Sequence, residues 1–433
     1  MPSILESPVR LPCGLVLPNR LSKSAMAEQI SPDNQPTEAV FKIYEQWAQG
    51  GWGSMITGNV QVDVNHLGSP FDIAIPDEDP KSEASISQWI KYAEVCQRNG
   101  TPTIVQICHP GRQSFRTAGR RGRLAHTLAP SAVPMNLGSG VLDRVFSTIA
   151  WATPKEMTHF EVKHVVEQFV SAASLISTAG FSGVQLHAAH GYLIDQFLNE
   201  KTNLRSDEYG GSAEQRAQFS LEILARTREV VPATFCVGIK FNSADRESSH
   251  FEDTMTQIKL LVDAGIDFME ISGGSQEDPR MMTGQAATTL QKSERTLARE
   301  AFFHEFANEV RHRHPQLVLM LTGGFRTRSG AQAAVEKNVC DIVGMGRPAI
   351  INNHLPLTFF NDKATEDEAS VPLGNAPRPF YAALLPKNIA GAGAESVGDI
   401  LQLFMRLLTP KQKYYAEQMQ RLAKGLPAHA PQC

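Results

Sequence analysis

The chain has 433 residues, 42% of them hydrophobic and 20% charged: enough apolar side chain for a large core and too little charge for a disordered chain. Its 41 basic and 45 acidic residues leave a net charge of −4, so no global field draws it to nucleic acid or to an anionic membrane. No apolar run reaches the roughly 18 residues that a bilayer span needs, and Met1 to Arg20 lacks the basic start and apolar stretch of a signal peptide, so a soluble cytoplasmic protein is expected.

Along the chain, short apolar runs rich in β-branched residues alternate with longer segments of helical period, the pattern of βαβ units around a parallel sheet. The strand-like runs are Leu21–Met26, Ser54–Asn59, Thr103–Ile107, Gly183–Leu186, Cys236–Phe241, Phe268–Ile271, Leu317–Thr322 and Ile342–Met345. Eight runs predict an α/β fold of the (β/α)8 TIM-barrel class. Between them, Val162, Val166, Phe169, Ala173 and Ile176 recur every three or four residues as one apolar stripe, which Gly180 ends. Ser212 with Gln215 reads as a capping box, opening a helix that buries Phe219, Ile223 and the aliphatic stem of Arg226. Asp253 and Ser329 are candidate N-caps of two later helices.

Two stretches exceed a minimal barrel. The connection from about Cys108 to Phe160, after the third strand, is too long for a plain loop and is expected to cover the site. Beyond Pro348 the strand rhythm stops; an acid- and proline-rich stretch from Asp362 to Pro379 leads to an apolar helical segment from Val397 to Leu408. The expected organisation is a barrel over 1–355 and a helical extension over 356–433, packed on the barrel and frayed after about Gly425. The six cysteines are scattered without CxxC spacing, against a zinc knuckle, an iron–sulfur cluster or a disulfide framework.

In such a barrel the chemistry lies at the C-terminal ends of the strands. The fourth run leads into His187-Ala188-Ala189-His190-Gly191-Tyr192. A helical turn there would put His187 and His190 on one face, where two neutral N–H groups can hold a carbonyl or nitro oxygen and stabilise the anion formed by nucleophilic addition. Tyr192 is placed to supply a proton. HxxH spacing also occurs in metal sites, but no nearby carboxylate or third histidine completes one, so no metal is expected; two structural histidines are the other reading.

The segment AGFSGVQLHAAHGYLIDQFLNEKTNLRSDEYGGSAEQRAQF, from Ala179 to Phe219, resembles the signature region of the old yellow enzyme family, flavin-dependent ene-reductases on a (β/α)8 barrel. LPNRLSKSAMA, QICHPGRQ, LAPSAVP, VGIKFNSAD, LTGGFRT and DIVGMGRP extend the resemblance over roughly Pro8 to Ile350. The resemblance implies non-covalent FMN, reduced by NADH or NADPH, whose N5 hydride passes to the β-carbon of an activated alkene. His187 and His190 would hold the substrate oxygen and Tyr192 would protonate the α-carbon.

The same resemblance places Ala25, Met26 and Ala27 along the isoalloxazine edge, Asn59 facing the flavin, Gln106 at the pyrimidine edge and Lys240 beside N1 and O2. Gly323, Gly324 and Phe325, with Gly346 and Arg347, follow the last two strands, where barrels bind phosphate between backbone N–H groups and a cation. Departures from the family pattern stand at Asn59, where many relatives have Ala, at Lys240, where many have Arg, and at Ala27, where many have Cys or Thr tuning the flavin potential. Gln29 occupies a position where one bacterial subgroup lines the substrate pocket with tyrosine, and Tyr381 is a candidate replacement. The arginine-rich GRQSFRTAGRRGR reads as a solvated loop rather than a nicotinamide-phosphate site. An FMN-dependent reductase of a small activated alkene is expected, against a flavin-dependent isomerase or dehydrogenase of a biosynthetic pathway and against an idle flavin-binding protein. Relatives occur as monomers and as oligomers, which leaves a homo-oligomer among the expectations.

Overall fold

The apolar runs close into a ring. A computed structural model describes residues 3–76, 83–122, 125–136, 147–243, 250–272, 305–371 and 410–428. Eight strands, β1 (Leu21–Lys23), β2 (Ser54–Ile56), β3 (Thr103–Cys108), β4 (Gly183–Ala188), β5 (Cys236–Asn242), β6 (Phe268–Ser272), β7 (Leu319–Thr322) and β8 (Ile342–Met345), each pair in parallel with the next, and β8 returns to β1 with Val343 opposite Leu21. This is the expected (β/α)8 barrel.

Two expected strands stop early. After β1 only the Ser24 N–H still reaches β8, donating to the Met345 carbonyl at 3.0 Å, so Ala25, Met26 and Ala27 lie beyond the strand rather than at its end. After β2 the Glu28 carboxylate accepts the Gly58 N–H at 2.9 Å and the Tyr44 hydroxyl, drawing the two loops together and leaving Asn59 outside the ladder. The chain then resumes pairing at Val60–Gln61, against the outer end of β3 and against Ile73–Ala74.

Strand period sorts the side chains. Ile56, Ile104, Cys236, Phe268, Met320 and Ile342 form the lower interior, closed from beneath by Val9, Leu11 and Leu17 of an antiparallel hairpin. Further up the strands, the interior residues Gln106, Gln185, Lys240 and Glu270 are polar and no more than 4% exposed. The alternate residues Val105, Leu186, Ile239, Ile271, Leu321 and Val343 join the larger cluster between barrel and helices.

The helices are α1 (Glu38–Ala48), α2 (Glu83–Gln97), α3 (His159–Thr178), α4 (Leu193–Leu198), α5 (Ala213–Val230), α6 (Phe251–Asp263), α7 (Arg328–Glu336), α8 (Arg347–Ile351), α9 (Leu355–Phe359) and α10 (Pro410–Ala423). On α3, Val162, Val166, Phe169, Ala173 and Ile176 are at most 1% exposed, so the expected stripe faces the sheet. Ser212 and Gln215 form the expected capping box of α5. Phe219 and Ile223 are buried, and Arg226 is half-buried, its guanidinium paired with Glu167 at 3.1 Å and Glu229 at 2.7 Å. Asp253 and Ser329 do not cap helices. His250 and Thr327 hold those positions; Asp253 lies inside α6, where its carboxylate pairs with Arg216 at 2.5 Å, and Thr327 Oγ1 takes the Gly330 N–H at 3.1 Å.

The arginine-rich loop is not simply solvated. Arg112, 5% exposed, donates to the Val133 and Pro134 carbonyls at 3.3 and 2.8 Å, and Arg121 donates to Ser114 Oγ and the Asn65 and Ala118 carbonyls at 2.7, 2.9 and 2.8 Å. Guanidinium forks matched to loop carbonyls hold this cover in place. Near the C-terminus, α10 lies on α1, with Gln46 Nε2 donating to the Leu422 carbonyl at 2.7 Å and Met419 and Leu422 buried. The expected 397–408 helix, Tyr381 and residues 429–433 lie outside the described residues.

The tight interior sets a testable limit. A Cβ on Gly238 of β5 would stand 2.1 Å from Cε1 of the Phe268 ring on β6. Gly238→Ala is therefore expected to lower unfolding free energy by about 1–3 kcal/mol, the usual cost of overpacking. Chemical denaturation checks it.

Candidate functional site

The interior of β4 runs Gln185, then His187, so the strand itself lifts one imidazole above the polar layer. The turn beyond is not helical. β4 ends at Ala188, and His190 and Gly191 both adopt left-handed backbone, with φ of +61° and +77°. Such a turn still brings the rings together: His187 and His190 lie edge-to-face at 5.0 Å between centroids, and His187 and Tyr192 at 4.5 Å. For the non-glycine His190 this conformation is unfavourable and must be held from outside. Asp195 Oδ2 accepts the Gly191 N–H at 2.7 Å and Asn242 Nδ2 at 2.8 Å, Asn242 Oδ1 accepts the His190 N–H at 3.3 Å, and Gln113 Nε2 donates to the His190 carbonyl at 2.7 Å.

Hydrogen bonds also fix protons. The Ala189 N–H donates to His187 Nδ1 at 3.3 Å, which puts the proton of the neutral ring on Nε2 as a donor. His190 Nε2 lies 3.0 Å from Ser272 Oγ, at the end of β6; when that hydroxyl donates, the ring's own proton sits on Nδ1. Burial, reinforced by the Lys240 charge, lowers both imidazoles, His190 to about 3, so both are neutral near pH 7. Burial raises the Tyr192 phenol well above its ordinary value, keeping it protonated.

Beneath them the polar layer is one chain of contacts. Gln106 Nε2 donates to Gln185 Oε1 at 2.6 Å, Gln185 Nε2 donates to Glu270 Oε2 at 2.8 Å, and Glu270 Oε1 meets Lys240 Nζ at 3.1 Å. Lys240 is thus the paired cation of the layer, with Glu270 as its counter-charge. At the far rim, Gly323 and Gly324 take φ of +139° and +80° after β7, and Gly346 precedes Arg347 at the start of α8. The Arg347 guanidinium lies 5.9 Å from the centre of the Tyr415 ring, so α10 reaches this corner. Gly346 also backs onto Met26: a Cβ there would stand 3.0 Å from its sulfur. Phe325, Ala25 and Met26 are half-buried, while Ala27 and Gln29, the latter with φ +53°, are exposed.

Sequence reasoning did not find Asp195, Asn242, Gln113, Ser272, Gln185 or Glu270. Asn242 and Ser272 end β5 and β6, and Gln185 and Glu270 occupy interior positions three and two residues before their strand ends; period-2 counting within the strands would have exposed all four. Among the described residues, Asp63, His66 and His109 bring three ligand-type atoms together. However, His109 Nδ1 accepts the Gly111 N–H at 3.0 Å, which puts its proton on Nε2, 3.7 Å from Asp63 Oδ2, and leaves no lone pair there for a metal. In a second group, of Cys13, Cys236 and Asp267, the carboxylate is already bound by the N–H groups of Cys13 and Val237 at 2.8 and 2.7 Å and by Arg228 at 2.7 Å.

Residues 7–366 match the NADH:flavin oxidoreductase / NADH oxidase family. The NADH-dependent flavin oxidoreductase iliE of Hypocrea jecorina (strain QM6a) is 43% identical over 371 residues, 84% of this chain and 91% of the relative. The protein of the same name from Neonectria sp. (strain DH2) is 43% identical over 363 residues, 83% of this chain, but this chain spans only 47% of that relative's length. Among solved structures, the old yellow enzyme homologue from Zymomonas mobilis gives a TM-score of 0.65 at 25% identity, over 84% of this chain and 94% of the other.

The neutral histidines carry a pH signature. His109 is lowered by burial to about 4 and His190 to about 3, whereas an unfolded chain takes up these protons near pH 6.5. Below that pH the unfolded state binds more protons, so stability falls as pH falls, by up to about 2 kcal/mol per histidine at pH 5. Urea titrations between pH 7 and pH 5 should show the decline, and His190→Asn should flatten it.

Proposed function

This chain belongs to the NADH:flavin oxidoreductase / NADH oxidase family, with FMN as its cofactor and NADH or NADPH as hydride donor, and from that premise we propose that it reduces the C=C bond of α,β-unsaturated carbonyl or nitro compounds. The observation that carries this reading is the convergence of His187, His190 and Tyr192 at the end of β4, where His187 pairs in register with Lys240 of the Lys240–Glu270 ion pair.

The residues fit the cofactor. Among the described residues other than its chain neighbours, none lies within 4 Å of where a Gly323 Cβ would stand, and a left-handed glycine pair presents its N–H groups as an anion cradle, with Arg347 as the charged partner of a phosphate. Gln106 and Lys240 would meet the pyrimidine edge of the ring, and Ala25, Met26 and Ala27 its side. FMN, when bound, supplies the hydride it has received from the nicotinamide.

The chain's own groups do the rest. His187, protonated on Nε2, donates to the substrate's carbonyl or nitro oxygen; His190 gives a second neutral donor from its remaining N–H. Neutral donors suit this task, because they stabilise the developing oxyanion without holding a free anion so tightly that it blocks the site. Tyr192, kept protonated by burial, gives its proton to the α-carbon. Gln29, exposed beyond β1, is assigned to the mouth of the substrate pocket.

The purified protein should be yellow and release unmodified FMN on denaturation; colourless protein that takes up no added FMN would overturn the site assignment. Arg347→Ala should weaken FMN binding by roughly 1.5–3 kcal/mol, the range for hydrogen bonds to charged groups, measurable by fluorescence titration. Simple phenolates should bind at His187 and His190 and give a long-wavelength charge-transfer band, which the double substitution should abolish. Tyr192→Phe should slow reoxidation of the reduced protein by an enone by about 10²–10⁴ in stopped flow. An unchanged enone rate would remove Tyr192 from the chemistry.

A further inference from the structure

The Tyr192 hydroxyl is held from behind. Asn59 Nδ2 donates to it at 3.0 Å. Asn59 owes its place to the strand that follows: Val60 and Gln61 pair with Ile107 and Cys108 at the outer end of β3, which fixes the asparagine backbone one residue before the ladder. Among the described residues, this amide is the one hydrogen-bond partner of the phenol.

Two acids act on that hydroxyl. The Cys108 thiol and the Asp72 carboxyl both disfavour a phenolate there, and burial raises both of them, Asp72 to about 7. Asp72 is held in turn by Gln61 Nε2 at 2.8 Å and by the Ser69 and Gly68 N–H groups at 2.9 and 3.1 Å. Gly68 keeps the space between them open, since a Cβ there would stand 3.1 Å from Asp72 Oδ2 and 4.0 Å from Tyr192 Oη. His187 lies against the ring of Tyr192 and is neutral. A phenol that gives up its proton in such a setting needs a donor aimed at its oxygen, and the Asn59 amide N–H is that donor.

We propose that Asn59 is a positioning residue for proton transfer: its N–H occupies one lone pair of Tyr192 Oη, turns the O–H towards the substrate, and stabilises the phenolate left when the proton has gone. This inference rests on the reading of Tyr192 as the acid. The balance is that of a two-electron reduction. Hydride adds to the β-carbon as NAD(P)H is oxidised, the O–H bond of Tyr192 breaks as a C–H bond forms at the α-carbon, and solvent returns a proton to the phenolate. Asn59 should therefore matter in proportion to how much the substrate needs that proton. An enone adduct needs it at once. A nitroalkene adduct is a stabilised nitronate that can leave unprotonated, so Asn59 also sets a preference between substrate classes.

The test compares the two substrate types on the same reduced holoprotein in stopped flow, in native protein, Asn59→Leu, Asn59→Asp, Tyr192→Phe and the double variant Asn59→Leu/Tyr192→Phe. Both Asn59 variants should lower the ratio of enone to nitroalkene reoxidation rates by about 10- to 100-fold, the scale of a lost hydrogen bond to a charged group. Asn59→Leu should add no further loss in the Tyr192→Phe background, because the coupling partner is gone. Carbon NMR of ζ-labelled tyrosine gives a readout independent of turnover: the resonance missing in Tyr192→Phe should shift in Asn59→Leu. Equal loss with both substrates, or the same loss with and without the tyrosine hydroxyl, would overturn the proposal while leaving Tyr192 as the acid. An enone rate indifferent to Tyr192→Phe would overturn that assignment and this proposal with it.

Discussion

A lysine and a glutamate inside a barrel must meet each other, or each is left as an uncompensated charge in a medium that solvates it poorly. Lys240 on β5 and Glu270 on β6 meet at 3.1 Å, opposite one another in strand register and almost wholly buried. The glutamate's second oxygen takes the Gln185 amide, and Gln185 in turn takes the Gln106 amide, so the charge is tied to two further strands. A buried polar network satisfied in this way defines one arrangement of its members, because any slip leaves a polar group without a partner. The four strands that carry it are thereby held in register, and with them the interior residues beside it.

His187 is one of those residues, paired across to Lys240 in the ladder. Its height and direction follow from the strand, not from a loop. The corner after it works differently: a histidine in left-handed backbone is a local rule broken, maintained by Asp195, Asn242 and Gln113 from three separate segments. A regular strand thus places the first imidazole, while a clamped irregular turn places the second and the phenol. The lower interior is largely hydrocarbon, with the Ser54 hydroxyl donating to Ser22 at 2.9 Å, and is capped by the N-terminal hairpin, so the change from hydrocarbon to polar layer to reactive groups occurs within a few residues along each strand.

This layering explains what could be read in advance. The strands were legible because most are short apolar runs whose two faces are both buried, and the α3 stripe because its period matches one contact surface. The HAAHGY segment was legible as chemistry, since three polar groups within six residues at a strand end are not required by the packing of a barrel. Its shape was not: helical spacing and a left-handed corner both bring His187 to His190, and only long-range partners select between them. Strand ends misled for a similar reason, since Glu28, rather than any property of Ala25 or Asn59, gathers the loops after β1 and β2. Asp253 has the composition of a cap, yet it lies inside α6 and pairs with an arginine on another helix. Glu270 was invisible because a lone acid in a strand reads as a surface residue until its register with Lys240 is known.

The ring closes only where β8 meets β1, segments from opposite ends of the barrel sequence. While a ribosome is still extending the chain, β1 and its hairpin must wait with one edge unpaired until the whole barrel has emerged. Such long-range pairing is slow to form, and an open parallel edge recruits neighbouring chains. For this protein the vulnerable moment is therefore its own synthesis, when the apolar residues of the lower interior are exposed and the strand that would seal them has not yet been made.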